Sequence, residues 1–287
     1  MKKVGIIGGS GLYEMEELGD IENIKVDTPW GVPSDDIIGG VLGDAKMYFL
    51  PRHGRGHRLM PSEINYRANI YALKSLGVQW IISVSAVGSM REEIEPGHVV
   101  IPDQFYDHTK GRVSTFFGDG IVAHVSMADP VCPVLSAILC EAAEKTGAVV
   151  HKQGTYLCME GPQFSSRAES NIYRQWGVDV IGMTNMPEAK LAREAEMGYA
   201  TLALSTDYDC WHDEHDDVRV SDILSTLMSN AELAKDIIKE AVPTIPQEIE
   251  GGFIWQNALQ DAIITSKDSI TEEAKIRLKL LIGRYLK

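Results

Sequence analysis

The sequence has no long hydrophobic run, and it is poor in basic residues for its size. Its 287 residues include 27 Lys and Arg against 41 Asp and Glu, which gives a formal net charge of −14 at pH 7. Nucleic acids and anionic membranes are bound through basic faces, so neither is an expected partner. No apolar run approaches the roughly 18 residues of a membrane span. The start at Met1-Lys2-Lys3 also lacks the apolar core of a signal peptide.

The four cysteines are widely scattered and include no CxxC pair; they are Cys132, Cys140, Cys158 and Cys210. Such scatter argues against a disulfide framework and is typical of reduced thiols in a cytoplasmic protein. We therefore expect a cytoplasmic location. In so acidic a chain, an anionic substrate would need a local cationic pocket.

Apolar runs alternate with helical patterns through most of the chain. This order predicts an α/β fold with a mixed, largely parallel central sheet flanked by helices. Strands are predicted at Val4–Gly8, Lys46–Pro51, Val78–Ala86, Val99–Pro102, Gly154–Met159, Val178–Thr184 and Tyr199–Thr206. Helices are predicted at Ser62–Leu76, Pro133–Thr146, Pro187–Met197, Ser221–Glu240 and Thr271–Tyr285. The composition turns polar after residue 246, so we expect a main domain over 1–246, with 247–287 as a C-terminal helical extension of it.

Two acidic residues follow the last predicted strand. Asp207 and Asp209 are two positions apart, and residues i and i+2 of an extended segment point the same way. Ligands of open α/β sheets bind outside the carboxyl ends of the strands. The pair is therefore suited to present two acceptors, or one acceptor and one proton donor, to the edge of a planar ligand. Solvated acids that open a loop are the plainer interpretation of the pair by itself.

Three strand ends carry glycines, hydroxyls or cations. The first is Ile6-Ile7-Gly8-Gly9-Ser10-Gly11, which lacks both the third glycine of a dinucleotide fingerprint and the Lys of a P-loop. The second is Pro51–Arg58, with three arginines and two histidines, and the third is Ser83–Ser89. One oxyanion-binding floor explains all three, because arginine forks and backbone N–H groups bind tetrahedral anions. A tight turn or a solvated basic loop would explain each one separately. His53 and His57 lie in a glycine-rich loop, so we expect no metal there.

Two further motifs offer contacts to a flat or apolar ligand. Phe164 follows a Gly-Pro turn and is suited to stack on a heterocycle. Met183 is adaptable enough to pack under a sugar. Val220, Ile223 and Leu224 have the i, i+3, i+4 spacing of an apolar patch at a helix start. A loop plug, a core methionine and an ordinary core stripe are the respective structural alternatives.

Seven motifs in this order resemble the trimeric purine nucleoside phosphorylase family, in its branch that cleaves 5′-methylthioadenosine. They are IIGGSGL from Ile6, PRHGRGH from Pro51, NYRAN from Asn65, SAVGS from Ser85, EGPQFSSRAE from Glu160, MTNMPE from Met183 and TDYDCW from Thr206. The match covers about residues 2–246. It implies that phosphate converts methylthioadenosine to adenine and 5-methylthioribose 1-phosphate, with no metal and no organic cofactor.

The resemblance also implies a role for each site residue. Phosphate would be held by Ser10, Arg52, His53, Ser85, the backbone N–H of Ala86, and Thr184. Phe164 would flank the base and Met183 the ribose, while Asp207 and Asp209 would face N7 and the exocyclic amine of adenine. His124 would reach the 5′ end of the substrate in a neighbouring subunit. By its spacing alone, the apolar patch of Val220, Ile223 and Leu224 is suited to the methylthio group at that end. A homotrimer, or a dimer of such trimers, is therefore implied.

The chemistry of N-glycosidic cleavage needs such groups. Positive charge develops on the ribose and negative charge on the leaving purine, so a bound phosphate stabilises the first and a protonated acid at N7 the second. Burial would favour a protonated Asp207. Carboxylates accept from an adenine amine and would oppose the carbonyl of a 6-oxopurine. Phosphorolysis of adenosine, methylthioinosine or inosine, nucleoside hydrolysis, and mere nucleoside binding are the alternatives.

Overall fold

The computed structural model describes residues 1–9, 11–12, 14–212, 220–247 and 254–286, with the side chains of 220–225, 227 and 254 left out. Within these residues eleven strands form one sheet. The strands are β1 Lys2–Gly8, β2 Gly19–Ile24, β3 Ile37–Leu42, β4 Ala45–Pro51, β5 Trp80–Ser89, β6 Val99–Val100, β7 Gln104–His108, β8 Val150–His151, β9 Thr155–Met159, β10 Val180–Gly182 and β11 Gly198–Asp207. The helices are α1 Tyr66–Ser75, α2 Pro133–Lys145, α3 Arg167–Gln175, α4 Asn185–Glu194, α5 Val220–Ala241 and α6 Glu272–Ile282.

The sheet is mixed and most of its pairings are parallel. Its main path runs β2-β3-β4-β1-β5-β10-β9-β7, while β11 joins β5 to β6, and β8 pairs with β6. Antiparallel pairing occurs between β2 and β3, β3 and β4, β5 and β10, and β6 and β11. The predicted fold class is thus confirmed.

The central strand β5 changes partners along its length. Its first half pairs with β1 as far as Ser83, opposite Ile7, and its last residues pair with β10, where Gly88 lies opposite Ile181. The segment from Val84 to Val87 lies between these two partners. Such a change of neighbours opens a crevice at the carboxyl ends of the strands, where ligands of α/β sheets bind.

Both faces of the central strands are buried. Ile6 and Ile82 belong to one hydrophobic cluster, and Ile7 and Ile81 belong to another on the opposite face. Successive side chains of a strand point to opposite faces, so a continuous apolar run is needed where helices cover both. Helices α1 and α4 contact each other, as do α2 and α5.

The predicted strands and helices are present with shifted ends, but four strands and one helix were missed. Strand β2 is largely exposed along an edge, and β3 contains two adjacent glycines. β7 is short and half exposed, and β8 has only two residues. Helix α3 buries only Ser170 and Tyr173, so its apolar stripe is too thin for a periodicity argument.

The C-terminal residues pack onto the main body. Ala262 accepts a hydrogen bond from the backbone N–H of His124 at 2.9 Å, and Ile264 donates to Val122 at 2.9 Å. Leu278 and Leu281 of α6 are buried in the cluster that contains Ile7. The boundary at residues 246 and 247 stays a prediction. No helix in the described ranges has the length and apolarity to cross a membrane.

Candidate active site

A cleft of about 530 Å³ opens at the carboxyl end of β5. It brings together residues from five parts of the sequence that the motifs had indicated. Those predicted site residues are Arg52, His53, Ser85, Ala86, Phe164, Met183, Thr184, Asp207 and Asp209. Sequence positions up to 157 apart thus meet in one cavity, because each lies in or beyond the carboxyl-terminal part of a strand of the same sheet.

Arg52, at one end of the cleft, belongs to a buried ion pair. Its side chain is 3% exposed and lies 2.9 Å from Glu188, which is 1% exposed. The guanidinium also donates to the carbonyls of Val84 and Ile7, at 2.9 and 3.1 Å. Burial disfavours its charge, but Glu188 more than offsets this and raises the pKa of Arg52. Arg52 is therefore a rigid cation whose charge is balanced within the protein.

Glu188 gathers donors from three elements. Besides Arg52 it accepts from the hydroxyls of Ser83 at 2.7 Å and Tyr199 at 2.9 Å. Four donor atoms on a buried carboxylate give a fully hydrogen-bonded pair, which is the arrangement that burial of charge requires. The network fixes the position of the Arg52 fork beneath the cleft.

His53 lies beside this pair with one ring nitrogen already used. Its Nδ1 is 2.8 Å from the Leu59 carbonyl oxygen, so Nδ1 carries the proton and donates. Burial lowers the pKa of His53 to about 4, and the charge of Arg52 acts in the same direction. His53 is therefore neutral at pH 7, with Nε2 left as an acceptor.

The carboxyl-terminal half of β5 supplies small groups. Ser85 is buried, with its Oγ 3.1 Å from the Tyr156 hydroxyl, whereas Ala86 faces the cleft. Thr184 is buried at the N-cap of α4. These residues offer hydroxyls and backbone N–H groups, which suit an oxyanion.

The opposite end of the cleft is acidic. The Oδ1 of Asp207 accepts from the backbone N–H of Asp209 at 2.8 Å, and its Oδ2 accepts from the Thr206 hydroxyl at 2.6 Å. Asp209 is 6% exposed. Among the residues that the structure describes, its Oδ2 is buried without a hydrogen-bond partner. An unpaired buried oxygen is costly and is suited to a ligand that satisfies it.

The two acids are not presented by simple strand alternation. β11 ends at Asp207 after an irregularity in its pairing with β5, and Asp209 has a φ of +52°. The left-handed turn brings Asp209 back to the cleft. Burial raises the pKa of Asp207 and that of Asp209, and the charge of Asp207 raises the latter further.

The wall between these ends is apolar. Phe164 is 47% exposed at the cleft, where a bound flat ligand would cover its ring. Gly161 packs so tightly against Met183 that a Cβ there would lie 2.5 Å from the sulfur, and its φ is +64°. The position of the turn that carries Phe164 is therefore set by its packing against Met183.

Some predicted residues lie elsewhere. Ser10 and the side chains of Val220, Ile223 and Leu224 fall outside the described residues. His124 lines a separate surface cavity of about 450 Å³, together with Lys190 and Glu194. Within one chain, the structure does not bring His124 into the cleft.

Sequence reasoning missed several residues of the site. Glu188 was visible only as the last letter of a motif, and its pairing with Arg52 spans 136 positions. Gly88 was part of a turn motif, but a Cβ there would lie 3.0 Å from Oδ1 of Asp207. His57 stacks on His53 with ring centroids 4.2 Å apart. A Glu directly after the proline at the start of a predicted helix is a usable signal for Glu188.

Residues 3–243 match the family model described as "Phosphorylase superfamily". The chain therefore belongs to the phosphorylase superfamily, and its relatives define the branch.

A protein of Geobacter sulfurreducens named S-methyl-5′-thioadenosine phosphorylase is 61% identical, with 99% of each chain covered. A methylthioadenosine phosphorylase from an antarctic soil metagenomic library has a solved structure with a TM-score of 0.93, 54% identity and 98% of each chain covered. The methylthioadenosine phosphorylase of Schistosoma mansoni in complex with adenine has a TM-score of 0.83 at 36% identity, again with 98% of each chain covered. Within the superfamily, the chain groups with the S-methyl-5′-thioadenosine phosphorylases.

Proposed function

We propose that this enzyme catalyses the phosphorolysis of 5′-methylthioadenosine to adenine and 5-methylthioribose 1-phosphate. The observation that carries the proposal is the cleft itself, with a floor of oxyanion donors at one end and two buried acids at the other. The family membership and the names of the relatives support it. Such a reaction serves purine and methionine salvage, and we place it in the cytoplasm, which the four free cysteine thiols support.

Phosphate is proposed to bind at Arg52, His53, Ser85, Thr184 and the backbone N–H of Ala86, with Ser10 added from the glycine-rich turn. Neutral His53 would accept a hydrogen bond from a phosphate hydroxyl through Nε2, because Nδ1 is engaged with Leu59. The Arg52 fork is held by Glu188 before the anion arrives. Positioning and electrostatics of this kind supply most of the catalysis in displacement by a bound anion.

The leaving base is proposed to bind against Phe164, over Met183, with its N7 and amine facing Asp207 and Asp209. Burial raises the pKa of both acids, and the charge of Asp207 raises the pKa of Asp209 further, so we propose that one of the two carboxyl groups carries a proton when the base binds. That proton passes to N7 as the glycosidic bond breaks. The ionised member accepts from the exocyclic amine, which favours adenine over a 6-oxopurine.

The chemistry asks for no metal and no organic cofactor. The nucleophile is phosphate, the acid is a carboxyl group, and the bond that breaks is already activated by protonation of the base. We therefore propose that phosphate and the nucleoside are the only small molecules required.

The decisive experiment is adenine release from methylthioadenosine with and without phosphate. We expect release only with phosphate, and slower turnover of adenosine, methylthioinosine and inosine. Release without phosphate would make the protein a hydrolase. Nucleoside binding with no release in either case would make it a binding module. Faster turnover of inosine than of methylthioadenosine would overturn the assignment of the base.

We also propose that the enzyme is a homotrimer, alone or paired as a dimer of trimers, in which His124 completes the 5′ pocket of a neighbour. The placement of His124 on a separate surface, away from the cleft of its own chain, supports this arrangement. The apolar patch of Val220, Ile223 and Leu224 is proposed to face the methylthio group from within the same chain.

Subunit mixing tests the shared site. The His124→Ala and Asp207→Asn substitutions each inactivate a different part of the composite site. Mixed trimers therefore contain some sites in which both parts are native. We expect activity above the mean of the two parents. Mixed trimers verified by mass that show only the mean would contradict the proposal, and mixing two Asp207→Asn preparations is the control.

A further inference from the structure

The side chain of Arg112 is buried between two loops that form the wall of the cleft. It is 2% exposed and was not indicated by any motif in the sequence. Its Nη1 donates to the carbonyls of Met183 and Met186, at 2.7 and 2.8 Å. Its Nη2 donates to the Glu160 carbonyl at 2.6 Å, and its Nε to the Glu160 carboxylate at 3.2 Å.

Glu160 and Met183 lie just beyond the ends of two neighbouring strands, and Met186 lies at the start of α4. β9 ends at Met159 and β10 at Gly182, and the two strands pair in parallel up to Gly182. Past that point the sheet hydrogen bonds stop, and the carbonyls need other donors. A planar guanidinium with five N–H groups is suited to donate to both backbone segments at once, whereas the ammonium group of lysine is a compact point charge.

The two backbone segments that Arg112 joins carry opposite sides of the ligand pocket. The segment that begins at Glu160 continues through Gly161 to Phe164, and the second segment contains Met183 and Thr184. Gly161 and Met183 are already in close contact. Arg112 also lies over the ring of Tyr66, with 5.7 Å from Cζ to the ring centroid, so its own position is fixed by packing.

We propose that Arg112 is a positioning residue for the nucleoside: it sets the distance between the turn that carries Phe164 and the loop that carries Met183. This inference rests on the proposed function, since the ligand it positions is the nucleoside of that reaction. Arg112 is not among the described residues that line the cleft. It acts through the backbone carbonyls of Glu160, Met183 and Met186.

The test compares Arg112→Lys and Arg112→Met with the native enzyme. Because misplacement of binding groups by about 1 Å is costly, we expect Arg112→Lys to raise the KM for methylthioadenosine about 10- to 100-fold. Adenine should bind more weakly by a similar factor, and Arg112→Met should be worse than Arg112→Lys. Arg91→Lys is the matched control, since Arg91 joins Asp179 and Gly177 away from the cleft.

A purely structural arginine would change other quantities. It would lower the folded fraction, and with it kcat, at unchanged KM and unchanged adenine affinity. Native-like KM and adenine affinity in Arg112→Lys would therefore overturn the inference, even if Arg112→Met fails to fold. Absence of phosphate-dependent adenine release from the native enzyme would instead overturn the proposed function.

Discussion

The two ends of the cleft handle charge in opposite ways. At the end proposed to bind phosphate, called the anion end below, Arg52 is paired with Glu188, and the Glu188 carboxylate also accepts from Ser83 and Tyr199. At the end proposed to bind the base, called the base end below, Asp207 and Asp209 lie side by side, and one oxygen of Asp209 is buried without a partner among the described residues. The Arg52–Glu188 pair is hydrogen-bonded before any ligand binds, whereas Asp209 keeps an oxygen without a partner among the described residues.

This difference suits the two ends to different tasks, one to positioning a ligand and the other to proton transfer. A fully hydrogen-bonded pair holds its shape and adds little net charge, so the anion end acts as a rigid template. Burial of the two acids costs free energy. A base that offers an N–H donor and a proton acceptor would reduce this cost. The catalytic proton is therefore expected at the end whose hydrogen bonds are incomplete.

The largest effect is expected at the acids. Asp207→Asn and Asp209→Asn should each lower kcat for methylthioadenosine by about 10²- to 10⁴-fold, the usual worth of a general acid. Each substitution removes either the proposed proton donor or the carboxylate proposed to accept from the exocyclic amine. Steady-state kinetics with saturating phosphate measures this. Asp103→Asn is the control, because its bond to the Gly154 N–H survives in an amide. Near-native kcat in both acid variants would remove the distinction between the two ends.

The next effect concerns stability at the anion end. Glu188→Ala leaves Arg52 as an uncompensated buried charge, which should lower the free energy of unfolding by about 3–5 kcal/mol. Urea unfolding monitored by tryptophan fluorescence measures the change. The double variant Arg52→Met, Glu188→Leu should recover part of the stability but not phosphate binding. If Glu188→Ala were as stable as the native protein, the template interpretation of this end would be wrong.

The smallest effect is a pH dependence at His53. Because its folded pKa is about 4 and its usual value is 6.5, the unfolded chain binds more protons between these values. The contribution of His53 to stability is therefore fully present above pH 6.5 and declines as the pH falls towards 4. Its total is on the order of 3 kcal/mol. His53→Gln should flatten this part of the stability curve, measured by urea unfolding at several pH values.

Glu194 provides an internal check on the sign of the pH dependence of stability. Burial raises its pKa to about 7, so its folded form binds more protons than the unfolded chain between pH 4.5 and 7. Its contribution to stability therefore falls as the pH rises through that range, opposite to His53. Glu194→Gln should steepen the rise of stability with pH, and an unchanged slope in both variants would contradict these assignments.

The sequence predicted the strand ends of the site better than the contacts beneath them. Arg52, Ser85 and Asp207 follow or end apolar runs, and strand ends of one sheet meet at one edge, so their convergence could be predicted. The partner of Arg52 could not, because Glu188 is distant in sequence and any of 41 acids was available. Arg112 was missed for a related reason: its acceptors are backbone carbonyls, which every residue carries.

The fold shows the same division. Buried strands such as β5 and β11 were predicted because both faces are apolar. Edge strand β2 was missed because solvent, not packing, faces its side chains, and nothing in the composition distinguishes it from a loop. The left-handed turn at Asp209 was also missed, since aspartate tolerates that conformation without requiring it.

The pairing of Arg52 with Glu188 has a consequence for how fast phosphate arrives. With that cation balanced and His53 neutral, neither residue lends the cleft a net positive charge, and the whole chain carries −14. The long-range field therefore repels the anion rather than steering it. Raising the ionic strength screens this repulsion, so added salt should speed the association of phosphate, opposite to its effect on sites that capture anions by attraction at a distance.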